Sequence, residues 1–296
     1  MEKALQCRSV KKQFLDFTLG PINLDLEPGT VLGLVGPNGA GKTTFLQCLI
    51  GLLRADSGEI AVFGRPNDLN NPEWKLNTGY VGDIPVFWER WTAAKNLQFI
   101  SQFYSDWSYQ KASELADRFQ LPLSKRAKDL STGNRVKLSL IMALAHSPKL
   151  LLFDEPTSGM DPVVRAEVLD VLFEILETGD RAIIYTTHIL PEISRLVDEL
   201  VFLDNGQIRL RANKEDLVNR WRKITFRYGK DVIPFQSVVS HRREGNDHQI
   251  ISSDFPMILD QLRELGAENI QDNHMSIEEI TVQILKGGRN VEINQS

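Results

Sequence analysis

A short apolar run, a glycine-rich loop and a helix-forming segment follow one another near the N-terminus and constrain the fold strongly. The run is Val31 to Val35 (VLGLV), the loop begins the stretch GPNGAGKTT, and the helix-forming segment is Lys42 to Gly51. An unbroken apolar run is typical of a strand buried on both faces of a parallel sheet. The order strand, loop, helix therefore predicts an α/β fold with a phosphate-binding loop.

The loop matches the pattern G-x-x-x-x-G-K-[ST], and its residue types have chemical reasons. Glycines let backbone amides point at phosphate oxygens, and the helix N-terminus behind them adds a favourable dipole. Lys42 supplies positive charge for the β- and γ-phosphates, the Thr43 hydroxyl suits Mg²⁺, and Thr44 can reach the α-phosphate. The predicted nucleotide contacts are Gly36, Pro37, Asn38, Gly39, Ala40, Gly41, Lys42, Thr43 and Thr44.

A second apolar run, Leu150 to Phe153, ends on two acids, Asp154 and Glu155. Acids at the end of a buried strand are costly unless they are paired or bind a metal. We expect Asp154 to bind Mg²⁺ through water and Glu155 to polarise the water that attacks the terminal phosphate. The alternative is a solvated strand end without a role.

Composition limits the classes of function. The chain has 296 residues, 42% of them hydrophobic, enough for one or two domains with a sizeable core. Its net charge of −5 gives no reason to expect a nucleic acid as the main partner. Cys7 and Cys48 suggest neither a disulfide framework nor a metal site, and three late histidines are scattered. No signal peptide and no apolar run of about 18 residues is evident, so we expect a soluble chain.

The pattern along the chain predicts two domains. Alternating strands and helices fill residues 1–211, and helical periodicity replaces strands over about 84–146. Residues 212–296 read as a small α+β appendage that contains a hairpin around Gly245-Asn246. The helices predicted in the insertion are Ala94 to Tyr104, Tyr109 to Phe119 and Arg135 to Ala145.

Two further motifs narrow the interpretation: LSTGN (Leu130 to Asn134) and LLLFDEPTSGMD (Leu150 to Asp161). With the phosphate loop ahead of them, their order resembles the ATP-binding subunit of an ABC transporter, over Lys3 to about Leu210. The resemblance implies a P-loop NTPase core of the ABC type, with a mixed sheet, flanking helices and an inserted helical subdomain. It also implies Mg²⁺-dependent ATP hydrolysis by two subunits that close around two ATP.

LSTGN stands where the family usually has LSGGQ. The resemblance implies that Ser131 and Gly133 contact the γ-phosphate of ATP held by the opposite subunit. A helix that begins there offers free amides and a dipole that favours an anion. Ser131 as a plain helix cap is the alternative. Thr132 and Asn134 depart from the family's residues, and we expect them to affect the affinity and rate of closure.

Other positions match the family singly. His188 matches its switch histidine. Asp161 of SGMD lies in the loop through which the subunits sense each other, and the resemblance implies that Asp161 also contacts the nucleotide. Asp83 stands where the family has a glutamine; it could ligate Mg²⁺ or be a turn residue. Phe14 could stack on adenine or belong to the core. The implied catalytic residues are Glu155, His188 and Lys42, and the implied metal ligands are Thr43, Asp83 and Asp154.

The segment FWERW (Phe87 to Trp91) places two tryptophans beside charges. The resemblance implies that Asp83 to Trp91 contacts a membrane-spanning subunit on a separate chain; packing within the helical insertion is the alternative. It also implies a second ATPase subunit, identical or paralogous, and a peripheral location on the cytoplasmic face of the cell membrane.

The motifs look most like those of bacterial exporters of peptides, drugs or envelope-active compounds. The alternatives are a soluble ABC ATPase linked to translation or DNA and an ATP-gated regulatory subunit with weak turnover.

Overall fold

The computed structural model describes residues 2–68, 70–176, 181–188, 190–230, 235 and 237–287. By their internal contacts they form two compact units, Met1–Val197 with Leu203–Ile208 and Asp198–Phe202 with Arg209–Ser296. The predicted domain boundary between residues 211 and 212 stays a prediction. No helix in the described ranges combines the length and apolar character needed to cross a bilayer.

The strands are β1 (Leu5–Gln13), β2 (Thr18–Leu26), β3 (Val31–Val35), β4 (Ser57–Val62), β5 (Arg65–Pro66), β6 (Thr78–Val81), β7 (Leu150–Asp154), β8 (Ala182–Thr186), β9 (Glu199–Asp204), β10 (Gln207–Asn213), β11 (Arg222–Arg227), β12 (Val238–Glu244), β13 (Asp247–Ser252) and β14 (Glu268–His274). The helices are α1 (Lys42–Leu49), α2 (Ala93–Ser101), α3 (Tyr109–Arg118), α4 (Thr132–Leu144), α5 (Pro162–Leu176), α6 (Leu190–Leu196), α7 (Lys214–Arg220), α8 (Phe255–Glu264) and α9 (Ile277–Gly287).

A six-stranded sheet in the order β10-β9-β3-β8-β7-β6 forms the centre of the fold. Its strands β3, β8, β7 and β6 pair in parallel. Every residue of β3, β7 and β8 is buried, which is why each strand is an almost continuous apolar run. Because parallel strands share one carboxyl edge, the phosphate loop after β3, the acids after β7 and His188 after β8 meet there.

A second, antiparallel sheet in the order β2-β1-β4-β5 was not anticipated from the sequence. Register shifts interrupt the pairing of β1 with both β2 and β4. Ser9 in β1 has a positive φ of 49°. Such irregularities break the alternation of buried and exposed residues by which half-buried strands are recognised.

The helical insertion is confirmed. Between Val81 and Leu150, where every residue is described, the only strand-like pairing is an isolated bridge between Thr92 and Arg126. Side chains of Thr92, Ser108 and Ser131 cap α2, α3 and α4 by accepting hydrogen bonds from backbone amides. Helix α4 begins three residues earlier than predicted, at Thr132, because Ser131 provides its cap.

The second unit contains a four-stranded antiparallel sheet in the order β12-β13-β11-β14 and has its own core. That core consists of Ile224, Phe226, Ile250, Ile258 and Leu262. The hairpin around Gly245-Asn246 is confirmed. Strand β14 was missed because its sequence, ENIQDNH, is polar and almost wholly exposed.

Two of the scattered histidines are neighbours across that hairpin. His241 Nε2 and His248 Nδ1 share a hydrogen bond of 3.0 Å. No group of three His, Cys, Asp or Glu side chains in the described ranges is arranged to hold a metal ion.

Candidate nucleotide-binding site

The phosphate loop connects β3 to α1 in a backbone conformation that depends on glycine. Gly39 and Gly41 have φ angles of +79° and +104°, a region that residues with a Cβ rarely adopt. A Cβ on Gly41 would also lie 2.8 Å from a ring carbon of Phe17. No side chain caps the first amides of α1, so those N–H groups point into the loop as donors for an anion.

Lys42 places its ammonium inside the loop. The side chain is buried, and Nζ donates to the carbonyl oxygens of Gly36 and Pro37 at 2.9 and 3.2 Å. Nζ also lies 3.6 Å from Glu155 Oε1. A buried cation held by neutral carbonyls and a single carboxylate is suited to meet phosphate oxygens.

Asp154 is fully buried at the end of β7. Its Oδ1 accepts hydrogen bonds from the hydroxyls of Thr43 and Thr186 at 3.2 and 2.9 Å. Its Oδ2 is buried without a hydrogen-bond partner. Burial raises the pKa of Asp154, and the negative charges of Asp83 and Glu155 act in the same direction.

A buried carboxylate with one unpartnered oxygen is the donor a hard cation requires. Thr43 and Asp154 therefore fit as ligands of a Mg²⁺ ion. Asp83 is exposed two residues after β6. Its charge reaches Asp154, and its role as a ligand remains a prediction.

The Asp154→Asn variant is expected to unfold at a higher temperature than the parent when neither Mg²⁺ nor nucleotide is present. The pKa of this carboxyl is higher in the folded chain than in the unfolded chain, where it has the ordinary value of about 3.9. The free energy of unfolding therefore falls as the pH rises from the unfolded-state pKa to the folded-state pKa. Asparagine removes this loss at pH 7, and each kcal/mol gained raises the midpoint by about 2–4 °C.

Thermal unfolding at pH 7 and near pH 4 tests this prediction, with the exposed Asp117→Asn as control. The gain should vanish at the lower pH, and Mg-ATP should stabilise the parent more than the variant. A variant less stable than the parent at pH 7 would contradict the argument.

Glu155 lies between Lys42 and His188. His188 Nδ1 donates to Glu155 Oε2 at 2.6 Å. The backbone N–H of Glu155 donates to the carbonyl and hydroxyl oxygens of Thr186 at 3.1 and 3.0 Å, and its φ is +48°. The structure thus brings together the three predicted catalytic residues, and Thr186, which the sequence reasoning missed, holds both acids.

Ser131 and Gly133 are held by other contacts. Ser131 Oγ accepts from the Asn134 amide at 3.3 Å, so its role as a helix cap is real in this chain. A Cβ on Gly133 would lie 2.8 Å from Val164 Cγ1. Asp161 Oδ1 accepts from the amides of Val163 and Val164 at 3.1 Å each and so caps α5.

These three residues form a group apart from the phosphate loop. In the described part of the chain, no hydrogen bond or ion pair joins Ser131, Gly133 or Asp161 to residues 36–44. Their predicted contact with the nucleotide of an opposite subunit is untested.

Phe14 is not a core residue. Its side chain is 42% exposed, its ring centroid lies 6.2 Å from that of Phe17, and Lys12 Nζ lies 5.9 Å from it. An exposed ring beside a cation leaves the predicted stacking on adenine possible and removes packing as the alternative.

The segment from Asp83 to Trp91 carries an exposed apolar surface. Ile84, Val86 and Trp88 are 80%, 87% and 44% exposed, and the ring of Trp88 stacks on that of Trp91 at 5.2 Å. Only Phe87 in this run is buried. Packing within the insertion accounts for Phe87 and in part for Trp88, whose ring centroid lies 4.2 Å from that of Phe99 in α2. It does not account for the exposed Ile84 and Val86, and exposed apolar residues of this kind are typical of a protein-binding surface.

Sequence and structure comparisons relate this chain to known proteins. The ABC transporter family model matches residues 19–158. ABC transporter ATP-binding protein YtrB of Bacillus subtilis is 32% identical over 214 residues, 72% of this chain and 73% of that protein. Nod factor export ATP-binding protein I of Cupriavidus metallidurans is 32% identical over 225 residues, 74% of each chain.

A solved structure, described as the ATP-binding subunit of an ABC transporter, has the same fold. It superposes with a TM-score of 0.66 at 26% identity, covering 73% of this chain and 92% of the other. Motifs, site geometry and relatives agree, and the chain belongs to the ABC transporter family as an ATP-binding protein.

Proposed function

We propose that this chain hydrolyses ATP at sites formed between two ATPase subunits and thereby drives a separate membrane-spanning subunit. The observation that carries the proposal is the arrangement of Glu155 between Lys42 and His188, next to the buried Asp154. Both carboxylate oxygens of Glu155 have partners at the edge of the site, Lys42 at 3.6 Å and His188 at 2.6 Å, and Asp154 retains an unpartnered oxygen.

The residues of the site divide the reaction among them. The loop amides and Lys42 bind the phosphates, and Phe14 stacks on adenine. A Mg²⁺ ion would be held by Thr43, by Asp154 through water and by Asp83 directly or through water, and would supply charge neutralisation on the phosphates. Glu155 accepts a proton from the attacking water as the oxygen of that water bonds to the γ-phosphorus. The bond from that phosphorus to the bridging oxygen breaks, and ADP keeps the electron pair.

The second half of each site comes from the opposite subunit, identical or paralogous. There Ser131 and Gly133 contact the γ-phosphate and Asp161 lies at the junction between subunits. His188 contacts the same phosphate and keeps Glu155 oriented through their hydrogen bond. Closure around two ATP would then move whatever is attached to the subunits.

The segment from Asp83 to Trp91 is the proposed attachment to the membrane-spanning subunit, which holds this chain on the cytoplasmic face of the membrane. Its exposed apolar side chains supply the surface. One relative is named for Nod factor export, which favours export, here of a peptide, drug or envelope-active compound. The net charge of −5 gives no reason to expect a nucleic acid as a partner.

The Trp88→Glu variant is expected to lose its membrane partner and keep its affinity for ATP, because a charge would replace an exposed anchor remote from the phosphate loop. Tagged full-length parent and variant are isolated from mild-detergent extracts of the native cells, and the co-isolated chains are identified. Leu52→Glu, at a residue 69% exposed, is the control. Recovery of ribosomes or DNA with the parent would favour the soluble, non-transport ATPase and overturn the proposal.

A further inference from the structure

Arg135 is the first residue after LSTGN. The two terminal nitrogens of its guanidinium contact the segment Asp83 to Trp91, the proposed attachment segment. Nη1 and Nη2 donate to the two carboxylate oxygens of Glu89 at 3.0 and 2.7 Å. Nη2 also donates to the carbonyl of Pro85 at 3.2 Å. The guanidinium lies 5.1 Å from the ring centroid of Phe87, so three residues of one segment converge on a single side chain.

The same arginine is fixed to the start of α4. Its backbone amide donates to the carbonyl of Ser131 at 2.9 Å, which closes the first turn of the helix. Its Nη1 donates to the carbonyl of Ala127 at 2.9 Å, four residues before Ser131. Arg135 therefore contacts the chain just before LSTGN, Ser131 within LSTGN and the segment Asp83 to Trp91 at once.

Backbone bonds hold the two segments side by side. The amide of Lys128 donates to the carbonyl of Glu89 at 3.1 Å, and that of Ala127 donates to the carbonyl of Trp91 at 2.8 Å. These bonds fix the end of the segment. The side chain of Arg135 reaches further back, to Pro85, which lies between the exposed residues Ile84 and Val86.

We propose that Arg135 is a positioning residue that couples the attachment segment to LSTGN, so that displacement of one changes the placement of Ser131 and Gly133. The inference rests on the proposed function. Two features make arginine necessary: its planar fork meets both oxygens of Glu89, and the same two nitrogens also donate to the carbonyls of Ala127 and Pro85. Lysine would keep the charge and lose the fork.

The test uses the full chain in a Glu155→Gln background, so that ATP binds without turnover. Arg135→Lys and Glu89→Gln are compared with the charge-swapped double variant Arg135→Glu, Glu89→Arg. Arg118→Lys and Glu174→Gln, at an ion pair between α3 and α5, are the matched controls. For each protein the thermal midpoint, the affinity of the dilute monomer for a fluorescent ATP analogue and the ATP concentration for half-maximal dimerisation are measured.

The Arg135 and Glu89 single variants are expected to need about tenfold more ATP to dimerise, equivalent to about 1.4 kcal/mol. Monomer affinity and thermal midpoint should stay close to the parent's, and the swap should restore at least part of the loss. Amide hydrogen exchange of residues 84–91 should respond to dimerisation in the parent and not in Arg135→Lys at saturating ATP.

Two results would overturn the inference. One is dimerisation and exchange like the parent's in both single variants; the other is a joint fall of midpoint, affinity and dimerisation, which marks a merely structural role. A Glu155→Gln parent that does not dimerise with ATP would overturn the proposed function itself, and this inference with it.

Discussion

Replacement of Glu155 by glutamine is expected to lower ATP hydrolysis at least about 100-fold, the usual contribution of a positioned base, and to leave ATP binding nearly unchanged. Glutamine has the same shape and keeps one acceptor oxygen for His188 or Lys42, which lie 2.6 and 3.6 Å from the carboxylate oxygens. It cannot take a proton from water. Steady-state phosphate release and equilibrium binding of a fluorescent ATP analogue measure the two effects.

The same variant should accumulate as a closed dimer with ATP and not with ADP, as light scattering after size exclusion would show. Glu174→Gln, an exposed carboxylate on α5, is the control and should hydrolyse ATP like the parent. Normal hydrolysis by Glu155→Gln would remove Glu155 from the mechanism. Turnover of the parent in its complex that matches the variant's would favour the ATP-gated regulatory subunit.

The second large effect is expected from Gly133→Asp, which should abolish ATP-driven dimerisation and lower turnover at least about 100-fold, by loss of an electrostatic contact to the phosphate. The added carboxylate would face the γ-phosphate of the opposite subunit's ATP. Binding of ATP to the dilute monomer should persist, because among the described residues no hydrogen bond or ion pair joins Gly133 to the phosphate loop of its own chain.

Steric and electrostatic causes can be separated at this position. A Cβ on Gly133 would lie 2.8 Å from Val164 Cγ1. Gly133→Ala alone therefore measures the steric effect of an added Cβ on dimerisation. The double variant Gly133→Ala, Val164→Ala relieves that contact without adding charge. It should dimerise far better than Gly133→Asp.

Mixing provides the sharpest test of a shared site. Gly133→Asp and Lys42→Ala chains should each be inactive alone, yet a mixed dimer retains one site with intact Lys42 and intact Gly133. Recovery of turnover on mixing is therefore expected. Full activity of a monomeric Gly133→Asp preparation would refute composite sites altogether.

The parallel core was predictable because burial on both faces leaves few choices of residue. Val31 to Val35, Leu150 to Asp154 and Ala182 to Thr186 consist almost entirely of apolar side chains, and they occur as strands with nearly the expected bounds. The irregular β1 follows no such rule because register shifts interrupt its alternation of buried and exposed residues. The polar β14 follows none because its residues are largely exposed and its pairing is with a distant strand.

The site was predictable where a contiguous motif carries the chemistry and less so where distant residues meet. The phosphate loop and the acids after β7 are local patterns. Thr186 joins them only because β7 and β8 pair in parallel. The contact between Arg135 and Glu89 spans 46 residues, and neither side chain signals the other in the sequence.

The left-handed backbone at Glu155 has a consequence for how this chain can change. A side chain at a φ of +48° costs about 1–2 kcal/mol that glycine would not. The residue on which turnover is proposed to depend therefore lowers the stability of the folded chain. Selection for a more stable fold favours glycine at position 155, whereas selection for ATP turnover favours glutamate. In a homologue that no longer needs to hydrolyse ATP, we expect this glutamate to be among the first site residues replaced.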